Sequence, residues 1–305
     1  MKKKNNIAGF LLTFAGAVLF STKAIIVKKA FADIHTGALT LLLLRMISAL
    51  PFYLLSLLYA SRKQDRSPLT TRQWTWLIIL GLFGYYLSSF LDFEGLQYVS
   101  AGLERLILFL YPTFVVLINT FFFRQKINTT QRIALLLTYT GIGIAYFGEL
   151  KADTGNPNFY WGSILIFICA ITYAVYLVGS GKLIPQVGAT RFTVYSMLTA
   201  TIGVIIHFLF SGNWQSLNEG GSSLWMYSLL LGIIATVIPS FLLAAGMKRI
   251  GSNNVAIISS IGPVSTIIQA HFILGEKIFA AQVAGTVLVI IGVLLIGWKS
   301  SRAVL

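Results

Sequence analysis

Charge is what this chain has least of. Only 10% of its 305 residues are Asp, Glu, Lys or Arg, against 56% hydrophobic, and the mean hydropathy is +0.81. A water-soluble domain of this length needs a far more polar surface. There is a single cysteine, Cys169, inside an apolar run. That excludes disulfide staples and a cysteine metal site, and leaves a small buried hydrophobe as its ordinary role. Long polar connections are missing too. The longest, 61–73, 149–159 and 211–224, cannot hold a soluble domain. Catalytic signatures are also lacking: neither HExxH nor Gly-x-Ser-x-Gly occurs. Gly179-Ser180-Gly181-Lys182 fails as a phosphate loop, because the earlier Gly is absent and Leu183 stands where Ser or Thr belongs. No enzymatic activity, cofactor or metal is expected.

Acidic residues number nine against 23 Lys and Arg, a formal net charge of +14. Nucleic acid is not the implied partner. The cations are not gathered into an aromatic-interleaved patch but sit in short gaps between apolar runs. Ten such runs, each of about 17–25 residues, are long enough to cross a bilayer as helices. They cover 7–31, 36–60, 74–97, 100–123, 132–148, 160–181, 190–210, 225–247, 252–274 and 280–298. The alternation of a membrane barrel is absent, so the expected fold is an all-α membrane protein of about ten transmembrane helices.

The positive-inside rule then orients the chain. With the N-terminus inside, sixteen Lys and Arg fall in inside gaps and four in outside gaps (Lys28, Lys29, Lys151, Lys277). Lys23, Arg45 and Arg105 lie within the runs. Both termini are thus expected on the cytoplasmic side. Lys2–Lys4 and Ala30-Phe31-Ala32 resemble parts of a signal peptide, but the run is too long and Lys23, Lys28 and Lys29 interrupt it. Asn128-Thr129-Thr130 matches a glycosylation sequon but falls in an inside gap.

Displaced by 151 residues, the chain matches itself from Gly95–Gly143 to Gly246–Leu294 without a gap. Gly95/Gly246, Pro112/Pro263, Lys126/Lys277, Gln131/Gln282 and Gly141/Gly292 coincide. Extended backwards, this makes two units, 1–150 and 151–305, of five helices each. Five is odd, so the second unit enters the membrane inverted, the architecture of many secondary transporters working by alternating access.

Several segments carry a resemblance. They are Gly95-Leu-Gln-Tyr-Val-Ser-Ala101, Tyr111-Pro112, Leu274-Gly275-Glu276-Lys277, the glycines Gly141, Gly143 and Gly292, and Arg45. In order, spacing and duplication the chain resembles the drug/metabolite transporter superfamily, its EamA-like branch. The resemblance implies ten helices, the inner membrane of a bacterium, and export or exchange of amino acids and other metabolites. One departure stands out: Leu-Gly-Glu is kept at 274–276, while the first half reads Phe123-Arg124-Gln125.

Ionisable residues within a membrane span are costly and mark functional sites. The first half holds six: Lys23, Arg45, Asp92, Glu94, Glu104 and Arg105. At about 1.5 Å per residue, Arg45 lies about 13 Å deep and Lys23 past the midplane. Both are expected at a pathway or gate. Glu94, Glu104 and Arg105 are expected nearer the interface, where pairing or snorkelling competes with a pathway role. Helical spacing puts Tyr85, Ser88 and Asp92 on one face, Glu104 and Tyr111 on another, Cys169, Tyr173, Tyr176 and Ser180 on a third, and Ser252, Ser259, Pro263 and Thr266 on a fourth. Helix packing through small residues competes with a pathway role for each face. Converging, they line a cavity for a small amphipathic solute. The candidate pathway is therefore Lys23, Arg45, Tyr85, Asp92, Glu104, Arg105, Tyr111, Tyr173, Tyr176 and Ser259, with Pro112 and Pro263 as hinges. His207 and His271 are proton carriers or satisfied structural residues. The expectation is a metabolite exporter in contact with lipid, with protons as a candidate coupling ion. The alternatives are an exchanger of phosphorylated or nucleotide-linked sugars and a membrane protein that transports nothing.

Overall fold

The computed structural model describes residues 2–34, 36–61, 68–124, 129–152, 156–211, 214–259 and 261–302. Arg62, Lys63, Arg66, Gln125, Lys126 and Asn128 lie outside them. The described residues are helices and turns, with no strand among them. The order begins with α1 (Lys2–Ile34), α2 (Ala38–Ser61), α3 (Thr71–Gly81), α4 (Ser88–Gly95), α5 (Ala101–Leu108), α6 (Tyr111–Phe123) and α7 (Thr129–Ala152). It continues with α8 (Phe159–Val187), α9 (Ala189–Ser211), the single turn α10 (Ser216–Glu219), α11 (Gly221–Leu229), α12 (Ile238–Ser259), α13 (Gly262–Gln269) and α14 (Ala280–Arg302). Three π-helical stretches, Leu82–Leu87, Leu230–Val237 and Ala270–Leu274, join α3 to α4, join α11 to α12 and extend α13.

Eight helical stretches are long and apolar enough to cross a membrane, and two shorter apolar helices, Gly262–Leu274 and Ala280–Gly292, make up the expected ten. Large apolar side chains point outward throughout. Phe210 is 88% exposed, Phe272 81% and Phe122 78%, a surface that hydrocarbon accepts and water does not. α1 runs unbroken through Ala30-Phe31-Ala32.

Two expected spans are not single helices. The span expected at 100–123 divides into α5 and α6, and the one at 252–274 divides between the end of α12 and α13. The reason is the proline. Pro112 and Pro263 lack the N–H that would continue the helix, and each sits in the first turn of a new one, where that N–H has no helical partner anyway. The two breaks are built alike. Leu110 N donates to Ile107 O at 3.0 Å and Phe114 N to Leu110 O at 3.1 Å. In the second half, 151 residues on, Ile261 N donates to Ile258 O at 3.2 Å and Ser265 N to Ile261 O at 2.9 Å. The described part of the 211–224 connection holds α10 and the start of α11.

Small residues set the closest helix contacts. α1 packs along α12: Gly9 meets Ile250, Thr13 meets Gly246 and Gly16 meets Leu242 and Leu243. The positions run in opposite directions, so the two helices are antiparallel. α7 packs along α14 in the same way, through Gly141 against Gly285 and Thr138 against Gly292. α2 lies on α9, and α8 lies on α4 and α6.

Candidate functional site

Three buried charges meet where α1, α4 and α5 come together. Lys23 Nζ lies 2.7 Å from Asp92 Oδ2 and 3.9 Å from Glu104 Oε1. The two carboxyl groups also face one another. Lys23 is 6% exposed, Asp92 1% and Glu104 0%. Removing such charges from water costs several kcal/mol each, which is repaid only by close and well-placed opposite charge. The sequence brings them together simply. Tyr85, Ser88 and Asp92 lie on one face of their span, and Ser100 caps α5 by accepting from Leu103 N at 3.0 Å, which sets the rotation that aims Glu104 inward.

The face carrying Asp92 meets the expected face of α8. Ser88 Oγ and Cys169 Sγ are 3.3 Å apart, and Tyr176 OH donates to Tyr85 OH at 3.0 Å. The tyrosine rings continue this wall. Tyr85 packs edge-on against Tyr176 at 5.0 Å, Tyr173 stacks on Tyr176 at 5.9 Å, and Tyr111 packs edge-on against Tyr173 at 5.1 Å. Arg45 stands beside it. Its Nε donates to Thr236 Oγ1 at 3.0 Å, its Nη1 to Ser89 Oγ at 3.4 Å, and its guanidinium covers the Phe93 ring. Thr236, in the π-helical stretch of the eighth span, ties α2 to the second half of the chain.

Of the two competing expectations for Glu104, pairing is what the structure contains, with Lys23. Glu104 and Arg105 are both buried, the latter 5% exposed, because α5 is packed among α1, α7, α8, α13 and α14. Arg105 makes no hydrogen bond or ion pair among the described residues; it lies between the Phe20 and Phe109 rings. Among the described residues the Glu94 carboxylate accepts a hydrogen bond only from Tyr98 OH, at 3.4 Å. In the loop between α4 and α5, partial burial and this carboxylate push the Tyr98 phenol above its ordinary pKa. Ser259 ends α12, just before the second helix break, with no hydrogen bond to the charged group among the described residues. His207 and His271 have partners: His207 Nδ1 is 2.9 Å from Tyr86 OH, and His271 Nδ1 is 2.9 Å from Glu276 O.

Sequence reasoning missed a second polar assembly at the loop end of α5. Glu276 Oε1 accepts from Ala101 N at 3.0 Å, Glu149 Oε1 from Ser100 N at 3.4 Å, and Lys28 Nζ donates to Val99 O at 2.7 Å. These groups edge a cavity of about 380 Å³ that Tyr98 and Asn156 also line. The signal was present in Glu276, the retained acid of Leu-Gly-Glu, and in Glu149, an acid at a span end. Carboxylates at a helix N-terminus satisfy its free N–H groups and its dipole.

A bundle of broken, apolar helices around buried ion pairs defines a polytopic membrane transporter. The EamA-like transporter family model matches residues 7–147 and again 160–298, and the chain belongs to that family. It is 32% identical over 283 residues to the Bacillus subtilis (strain 168) protein described as uncharacterized transporter YcbK, covering 91% of this chain and 89% of that protein. An uncharacterized transporter of Archaeoglobus fulgidus is 22% identical, covering 93% of each. A solved structure described as "Crystal structure of protein" shares the fold, with a TM-score of 0.64 at 19% identity over 94% of this chain and 97% of that one.

Proposed function

We propose that this transporter is secondary, exporting small metabolites such as amino acids by alternating access, without catalysis. The observation that carries the reading is the buried Lys23–Asp92–Glu104 triad beside one of two matching helix breaks. Units 1–150 and 151–305 are the two inverted five-helix repeats, and rocking them about the breaks exposes the middle of the bundle to either side. The identical hydrogen bonding of the breaks and the antiparallel glycine contact of α7 with α14 support that division. Pro112 and Pro263 act as hinges. Lys23 and Arg45 gate the passage, and Tyr85, Tyr111, Tyr173, Tyr176 and Ser259 line it. The protein sits in the inner membrane with both termini cytoplasmic.

One ammonium balances one of the two carboxylates in the triad. A proton held between Asp92 and Glu104 balances the other, making them the coupling site. The other titratable groups within electrostatic reach of the pair are Lys23, Arg45, Arg105 and Cys169. The engagement of Lys23 by both acids leaves less free cation for a phosphorylated sugar, so the exchanger reading is the weaker one.

The test is uptake and counterflow in proteoliposomes with an amino-acid panel, with and without an imposed pH gradient. Saturable movement that is lost in Arg45→Ala and driven by the gradient is the expected result. Absence of movement for every panel member overturns the amino-acid reading, and movement indifferent to the gradient overturns the proton assignment.

A further inference from the structure

Arg105 is a buried charge that stands outside the triad. It neighbours Glu104 in sequence, but successive helical residues point about 100° apart. Glu104 faces Lys23 and Asp92, while Arg105 faces the second half of the chain. A methyl group built on Gly262 would stand 3.2 Å from Arg105 Nη2 and 3.4 Å from its Nε. The guanidinium therefore lies against the first turn of α13, and glycine at 262 leaves it the room. Its Nε is buried and unpartnered among the described residues. One turn further along the same face of α13, Thr266 Oγ1 is buried and unpartnered as well. Ser21 on α1 reaches the Gly262 carbonyl at 3.2 Å and closes the group from the other side.

A buried cation with no ion-pair partner is strongly unfavourable, and a fixed guanidinium beside the positive end of a helix favours an anion. Unlike Lys23 and Arg45, Arg105 has no protein acceptor to give up first. We infer that Arg105, with the start of α13, receives a carboxylate of the transported solute. This rests on the transporter reading and deepens it. The charge available is that of one guanidinium and about half a charge from the helix end, which suits a monoanion better than a phosphate dianion. The rest of the solute meets rings: Phe20 and Phe109 flank the guanidinium, and Tyr111 lies within its electrostatic reach. The site takes residues from both halves, so it changes shape when they move.

The test uses the full chain in nanodiscs and titration calorimetry with three probes: phenylalanine, 3-phenylpropionate and phenylalaninamide. The two carboxylates are expected to bind about tenfold or more tighter than the amide. Arg105→Gln should abolish that preference by weakening the binding of both carboxylates, and Arg105→Lys should restore part of it. Gly262→Ala keeps the cation but crowds it; carboxylate binding should fall several-fold more than amide binding. That arm decides the matter if Arg105→Gln does not fold. Equal binding of all three probes, no binding of any, or a carboxylate preference surviving in Arg105→Gln overturns the assignment. Counterflow separates the two readings. Carboxylate-selective binding without transport leaves the site and removes the transporter reading. Transport of the acids and the amide at equal rates does the reverse.

Discussion

Arg124 and Gly275 hold the same left-handed backbone conformation 151 residues apart, with φ 52° at one and 71° at the other. Each N–H reaches back five residues, Arg124 to Asn119 O and Gly275 to Ala270 O. The turn that the second half makes with glycine, the first half makes with a side chain that dislikes it. Arg124→Gly should therefore raise stability by about 1 kcal/mol, and Gly275→Ala should lower it by a similar amount. Melting of the purified protein in detergent measures both. A fall in the first variant means that the Arg124 side chain makes a contact worth more than the strain.

Lys23→Met should destabilise the protein by about 3–5 kcal/mol, because it leaves two buried carboxyl groups without their cation. Combining it with Asp92→Asn should return a large part of the loss. A double-mutant cycle on thermal unfolding reads the coupling, and simple additivity would show that the pair does not interact.

A methyl group on Gly141 would come within 2.6 Å of the Gly285 carbonyl, whereas Gly143 has nothing within 4 Å of that position. Gly141→Ala should cost about 1–3 kcal/mol by forcing α7 from α14. Gly143→Ala should be neutral or favourable by up to about 1 kcal/mol, since alanine is the better helix former. Equal effects at the two sites would sink the close-packing account.

Glu276→Ala should free the Ala101 amide and lower stability by about 0.5–2 kcal/mol. Hydrogen exchange at residues 101–104 is the direct measure, and it should quicken more in the double variant with Ser100→Ala. Unchanged exchange would mean that Ser100 alone holds the end of α5.

The helix number was legible because an apolar run of bilayer length is rare outside membrane-spanning helices. The breaks were legible in position, since Pro112 and Pro263 mark them, though not as complete interruptions of the helix. The meeting of Lys23 with Asp92 was within reach, because burial compels opposite charges to pair. Rotation about the helix axis was not. Counting residues from a span end gives height in the membrane but not which neighbour a side chain faces, so the sequence does not distinguish the surroundings of Glu104 from those of Arg105. The π-helical stretches leave no mark on composition. The bond from Arg45 to Thr236 joins residues 191 apart, and no local pattern announces it.

Cys169 is the chain's one thiol, 1% exposed, with its sulfur against Ser88 on the helix that carries Asp92. Alkylating reagents have a single point of attack, and it is covered while α4 and α8 stay together. The native protein thus contains its own reporter. The rate at which a small maleimide labels it times the separation of these two helices, without an engineered residue and without a cysteine-free background.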